Sequence, residues 1–123
     1  MQIHIDIDHP LPLFNQLIQQ IKEGVSKRTL KPGDPLPSIR QLANDLELNS
    51  KTVAKAYRLL ERDGVIHSRG YRGTFVHADA YKNCQIDLHQ LINDELDKTL
   101  SRLRTAGATD SEIRIAFAQA INK

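Results

Sequence analysis

Apolar positions recur along this chain at two spacings, and each spacing predicts a kind of element. Ile3, Ile5 and Ile7 alternate with polar residues, as in a short strand, although an extended N-terminal arm would show the same pattern. After Pro10 and Pro12, the positions Phe14, Leu17, Ile18, Ile21 and Val25 fall on one helical stripe. Lys31-Pro32-Gly33-Asp34-Pro35 then breaks the chain with a turn. A second helix is predicted to start at Leu36-Pro37-Ser38, with Ser38 and Gln41 as a capping box and Ile39, Leu42, Ala43 and Leu46 as its apolar face. Glu47-Leu48-Asn49 makes a very short connection to a third helix, capped by Asn49 or Ser50. Val53, Ala56, Tyr57 and Leu60 form its stripe, and Gly64 suits its end. Val65-Ile66-His67 and Thr74-Phe75-Val76 read as two short strands, joined through Ser68-Arg69-Gly70-Tyr71-Arg72-Gly73 as a hairpin with a basic tip. Beyond them, Leu88, Leu91, Ile92, Leu96, Leu100 and Leu103 share one helix face, with Gly107 as a stop. Thr109 and Glu112 form another capping box, opening a last short helix with Ile113, Ala116, Phe117, Ala120 and Ile121 on one side.

Composition narrows the classes. The chain has 123 residues, 40% of them hydrophobic and 26% charged, as expected of a folded soluble domain. That length has no room for a Rossmann enzyme with its own substrate domain, a barrel enzyme, or a large sensor beside a second module. Cys84 is the single cysteine, so no intramolecular disulfide forms, which fits a reducing compartment. The first residues lack the basic start and apolar run of a signal peptide, and no stretch approaches a membrane span, so a cytoplasmic home is expected. The net charge of +2 does not announce a nucleic-acid partner, but it is an average over unlike parts. Residues 1–76 carry net +3 and residues 77–123 net −1, and the segment 51–72 alone carries net +4.

That basic segment coincides with the third helix and the hairpin. Two short amphipathic helices joined by about three residues cross steeply, as in a helix-turn-helix. The outward face of the second of them then carries Ser50, Lys51, Thr52, Lys55 and Arg58. An α-helix fits the DNA major groove, hydroxyls and helix N-termini donate to phosphates, and Lys and Arg displace counterions. The hairpin that follows is a wing. Gly70 and Gly73 let its backbone approach DNA, and Arg69 or Arg72 suits the minor groove. Arg40, just after the Ser38 cap, points away from its core-facing neighbours, and its fork suits the O6 and N7 of guanine. The plain alternative for Arg40 is an ion pair with Asp45 or Glu47, and for Lys51, Lys55 and Arg58 a solvated helix face. Tyr57 belongs to the apolar stripe, with its hydroxyl offered to a phosphate.

Other chemistry finds no foothold. His4, His9, His67, His77 and His89 form no metal-ligand spacing, and Cys84 has only Lys82 near it in sequence. No paired carboxylates, nucleophile–base pair or phosphate loop stands in a defined context, so no catalytic residue, cofactor or metal is expected.

Four motifs in fixed order carry a resemblance: Leu36-Pro37-Ser38-Ile39-Arg40-Gln41-Leu42-Ala43, Asn49-Ser50-Lys51-Thr52-Val53-Ala54-Lys55-Ala56-Tyr57, Leu60-Glu61-Arg62-Asp63-Gly64-Val65-Ile66, and Gly73-Thr74-Phe75-Val76. Together they resemble the winged-helix domain of GntR-family bacterial transcription regulators, over roughly residues 10–77. Pro12-Leu13-Phe14-Asn15-Gln16-Leu17 and Lys55-Ala56-Tyr57 look most like the short-tailed YtrA subfamily. The resemblance implies a dimeric, sequence-specific regulator, usually a repressor, on a two-fold operator. It also implies that Ser38, Arg40, Ser50, Thr52 and the wing glycines sit at the DNA. Two departures bear on the operator sequence. Ala54 stands where many members carry Arg, leaving that contact to Lys51 or Lys55, and bulky Tyr71 lies between the wing glycines.

The expected fold class is mainly α with a small β-wing. A winged helix-turn-helix at 10–77 is followed by a two-helix dimerisation segment at 78–123. Leu88, Leu91, Ile92, Leu96, Leu100, Leu103, Ile113 and Phe117 are the expected dimer contacts, because the stripe exceeds what one small neighbour covers. The expected partners are double-stranded operator DNA and a second copy of the chain, with no membrane. The sequence marks no effector pocket. A winged helix used only as a protein-interaction module is the rival reading.

Overall fold

The computed structural model describes residues 2–123. The chain divides into a first compact unit ending at Ile86 and a second, Asp87–Lys123. The first holds α1 (Leu13–Ser26), β1 (Pro35–Leu36), α2 (Ile39–Leu46), α3 (Ser50–Arg62), β2 (Ile66–Ser68), β3 (Thr74–Val76) and α4 (Ala80–Asn83). The second holds α5 (Leu88–Thr105) and α6 (Asp110–Ile121).

The three apolar stripes close on one another. Leu17 and Ile21 of α1, Val53, Ala56 and Leu60 of α3, and Val65 and Val76 of the wing are 0% exposed. Each large aliphatic side chain so buried stabilises the fold by about 1.5–3 kcal/mol. Leu42 and Ala43 bring α2 into this core, but Ile39, expected on the same face, remains exposed. It is the first residue of α2, a turn short of the positions that reach the core.

The helix ends follow local chemistry. Ser38 Oγ accepts the Gln41 N–H at 3.1 Å, so the expected capping box is half made. Glu47 ends α2 in the left-handed region, φ 56°, and turns the chain sharply into α3. Asn49, not Ser50, caps α3, its Oδ1 accepting the Lys51 N–H at 2.9 Å. Gly64 has φ +71° and gives its carbonyl to Asn83 Nδ2, which occupies the space a Cβ would need.

Two expectations need correction, the start of the first wing strand and the number of strands, and one open alternative is decided. Of the two readings of the N-terminal alternation, the extended arm forms and the strand does not. His4 N–H donates to Gln20 Oε1 and Asp6 N–H to Gln16 Oε1, while both glutamine amides return bonds to arm carbonyls. The arm thus pairs with the side chains of α1, and Ile3 and Ile5 pack on the core. The first wing strand starts one residue late, because Val65 N–H closes α3 on Leu60 O. The sheet has a third strand: β1 joins β3 opposite β2, with Leu36 across from Thr74 and Ile66 across from Val76. The first compact unit runs to Ile86, and α4 seats Ala80 in its core at 0% exposure.

In the second unit the local signals hold. Asp87 caps α5 through the Gln90 N–H, and Thr109 with Glu112 forms a full capping box on α6. Neither helix contains a buried residue. Among the described residues no helix is long and apolar enough to cross a membrane.

Candidate nucleic-acid interface

Because α3 buries Val53, Ala56, Tyr57 and Leu60, the residues between them turn outward. Ser50, Lys51, Lys55 and Arg58 are exposed, whereas Thr52 is half-buried. Asn49 is exposed too, but its Oδ1 is engaged in the cap, leaving the amide N–H groups. Ser38 accepts a cap bond, so its hydroxyl proton stays available to donate. Arg40 is the second residue of α2, fully on the outer side, and makes no ion pair within 4.0 Å among the described residues. Neither Asp45 nor Glu47 neutralises it.

Lys55 departs from a simple phosphate-facing role. Its ammonium lies 3.9 Å from the centroid of the Phe14 ring at the start of α1. Tyr57 departs further. Its ring is buried and its Oη donates to the Pro37 carbonyl at 2.6 Å, so the hydroxyl does not reach outward. Burial pushes the phenol up to about 12.

The wing is held from both ends. Ser68 N–H donates to Glu61 Oε1 on α3 at 3.2 Å, and Arg69 N–H donates to Gly73 O at 2.8 Å. Between them Gly70–Arg72 forms one tight 3₁₀ turn. Gly70 (φ +62°) and Gly73 (φ +112°) both sit where other residues are strained. Arg69, Tyr71 and Arg72 are exposed, with the Arg69 guanidinium 5.4 Å from the Phe75 ring and Tyr71 96% exposed. The base of α3 is fixed by Asp63. Burial would raise its carboxyl, but hydrogen bonds from Arg62 and Lys22 outweigh that and hold it below its ordinary range.

Sequence reasoning missed Glu61, Phe14 and the Tyr57–Pro37 bond. Tyr57 did carry a signal: a tyrosine on a buried stripe needs a partner for its hydroxyl. The expected dimer residues form no closed cluster. Leu88, Leu100 and Ile113 are half-buried, and Leu91, Ile92, Leu96, Leu103 and Phe117 are 39–53% exposed. No group of three potential metal ligands occurs among the described residues.

A helix-turn-helix followed by a three-stranded wing, with basic side chains outward on both, defines a winged-helix DNA-binding protein. Residues 13–76 match the family described as "Bacterial regulatory proteins, gntR family". The chain belongs to the GntR family of DNA-binding transcription regulators. It is 38% identical over 105 residues to the HTH-type transcriptional repressor YtrA of Bacillus subtilis (strain 168), covering 85% of this chain and 81% of that protein. Among solved structures it is similar to YtrA from Sulfolobus acidocaldarius, a GntR-family transcription factor (39% identity, TM-score 0.61, 77% of this chain and 97% of that one). It is also similar to a transcriptional antiterminator from Listeria monocytogenes EGD-e (31% identity, TM-score 0.67, 100% of this chain and 91% of that one).

Proposed function

We propose that this regulator is a repressor that binds a two-fold symmetric DNA operator as a homodimer in the cytoplasm. It acts by binding and not by catalysis. The observation that carries the reading is the pairing of an unneutralised Arg40 with the outward face of α3 on one closed core. In this reading α3 enters the major groove with Ser50, Lys51 and Arg58 leading, and Asn49 and Thr52 at its N-terminal edge. Ser38 donates to a phosphate, Arg40 reads a base at the groove edge, and Arg69, Gly70, Arg72 and Gly73 follow the backbone or minor groove. Lys55, above Phe14, contributes charge and not base choice. The apolar faces of α5 and α6 pair with those of a second copy, setting two recognition helices about 34 Å apart.

Selection of bound DNA from random sequence tests this reading. The expected product is palindromic, with half-sites about one helical turn apart. Failure to enrich any sequence would instead favour a protein-interaction module. On the selected operator, Arg40→Ala is expected to lower affinity by about 1–3 kcal/mol and to relax one base position. An unchanged isotherm and unchanged base preference would remove Arg40 from the reading.

A further inference from the structure

The Tyr57 hydroxyl joins two segments that the proposed reading treats as separate readers of DNA. Tyr57 lies on α3 and Pro37 lies between β1 and the Ser38 cap of α2. The bond of 2.6 Å is short for a neutral pair, and the ring that presents it is 4% exposed. Among the described residues no backbone N–H donates to the Pro37 carbonyl, so the tyrosine is its partner. On one side of Pro37, Leu36 is fixed to the wing opposite Thr74. On the other, Ser38 holds the Gln41 N–H. Neither contact reaches α3. Leu42 and Ala43 anchor α2 in the core, but from its middle and not from the end that carries Arg40.

We infer that Tyr57 is a positioning residue for Arg40: through the Pro37 carbonyl, the recognition helix fixes where the first turn of α2 places its arginine. The inference rests on the proposed reading, in which Arg40 contacts a base. The hydroxyl does not touch DNA. It keeps the two reading elements in one register, so that bases contacted by α3 and by Arg40 stay at a fixed separation. A side chain that must meet O6 and N7 together loses most of its discrimination when its backbone can drift.

The test uses the full chain and the operator obtained by selection, with Tyr57→Phe, Arg40→Ala and the double variant. Tyr57→Phe keeps the ring in the core and removes the hydroxyl alone. Base preference is measured at every operator position, with thermal unfolding of each variant alongside. The expected result is a loss of preference, roughly three- to tenfold, at the one position that Arg40→Ala also relaxes. In the Arg40→Ala background, Tyr57→Phe should change that position no further. Intact preference in Tyr57→Phe, or a uniform weakening at all positions that tracks its stability, overturns the inference and leaves the Arg40 reading standing. If Arg40→Ala itself relaxes nothing, the reading falls and the inference falls with it.

Discussion

The two units of this chain carry the same kind of helix and treat it in opposite ways. In the first, the stripes of α1 and α3 meet, and Leu17, Ile21, Val53 and Leu60 are 0% exposed. In the second, α5 and α6 also carry apolar faces, weaker than those of α1 and α3, yet no residue of either helix is buried and Phe117 is 50% exposed. The second unit keeps its helices through local devices: the Asp87 cap, the Thr109–Glu112 box and the Arg104–Asp110 ion pair at 3.1 Å. A hydrophobic period therefore says that a face is to be covered. It does not say whether the cover comes from the same chain.

The largest test of this contrast pairs Leu60 with Leu96. Leu60→Ala opens a cavity in a closed core and is expected to cost about 2–5 kcal/mol in chemical denaturation. The cost should be independent of protein concentration. Leu96, 39% exposed within its own chain, has little to lose there. Under the homodimer proposal its truncation instead shifts a sedimentation equilibrium toward monomer, and the shift weakens as protein concentration rises. A concentration-independent loss at Leu96 would mean that the face closes within one chain.

The same contrast explains what was legible in the sequence. In the first unit α2 and α3 could be read because stripe and cap agreed at each, from Ser38 to Gly64, and α1 from its stripe between Pro12 and the Lys31–Pro35 turn, whereas the short α4 carried no such signal. The candidate interface followed, since residues between the stripes must face out. Ser50, Lys51 and Arg58 do so. What escaped depends on partners distant in sequence. Pro35–Leu36 is a strand only because β3 offers a free edge. The arm alternates like a strand, but its bonds go to Gln16 and Gln20 on a helix face, which no local pattern encodes. Lys55 meets Phe14, and Tyr57 meets Pro37, across 41 and 20 positions respectively. For Lys55 and Tyr57 the side chain's exposure class was readable and its partner was not; for Gln16, buried at 7% exposure, neither was.

Tyr57 also separates the units by pH. Its phenol is raised to about 12 in the folded chain, against 10.0 for an unperturbed one. Below pH 10 both states are protonated and the contribution is complete. As pH climbs toward 12 the unfolded chain ionises first, so stability falls, in total by on the order of 2–3 kcal/mol. Neither α5 nor α6 contains a tyrosine, so the alkaline loss belongs to the first unit. Burial also raises the Cys84 thiol in the same unit, which adds to the alkaline loss. Unfolding followed from pH 9 to 12 should show both, and Tyr57→Phe should remove the part due to the phenol while leaving the tail unaffected. An unchanged slope in Tyr57→Phe would assign the whole loss to other groups.

The smallest expected effect lies in the tail. The Thr109 Oγ accepts the Glu112 N–H at 3.1 Å, and Glu112 Oε1 accepts from the Thr109 backbone N–H at 3.0 Å. That backbone bond is the main reason the Glu112 carboxyl stays below its ordinary range, so acid weakens the cap as it protonates the group. Thr109→Ala removes the hydroxyl and is expected to cost about 1 kcal/mol of helix stability. In the first unit a cost of that size is small against a core that closes by itself. In α6 it is not, because no buried residue holds the helix when its first turn frays. In the dissociated chain, at low protein concentration, amide hydrogen exchange should therefore speed up along the whole of α6 and leave α1 and α3 unchanged. Where the proposed homodimer forms, the acceleration should instead be confined to the first turn, because the second copy covers the apolar face; whole-helix acceleration that persists at high concentration would count against α6 as a dimer face.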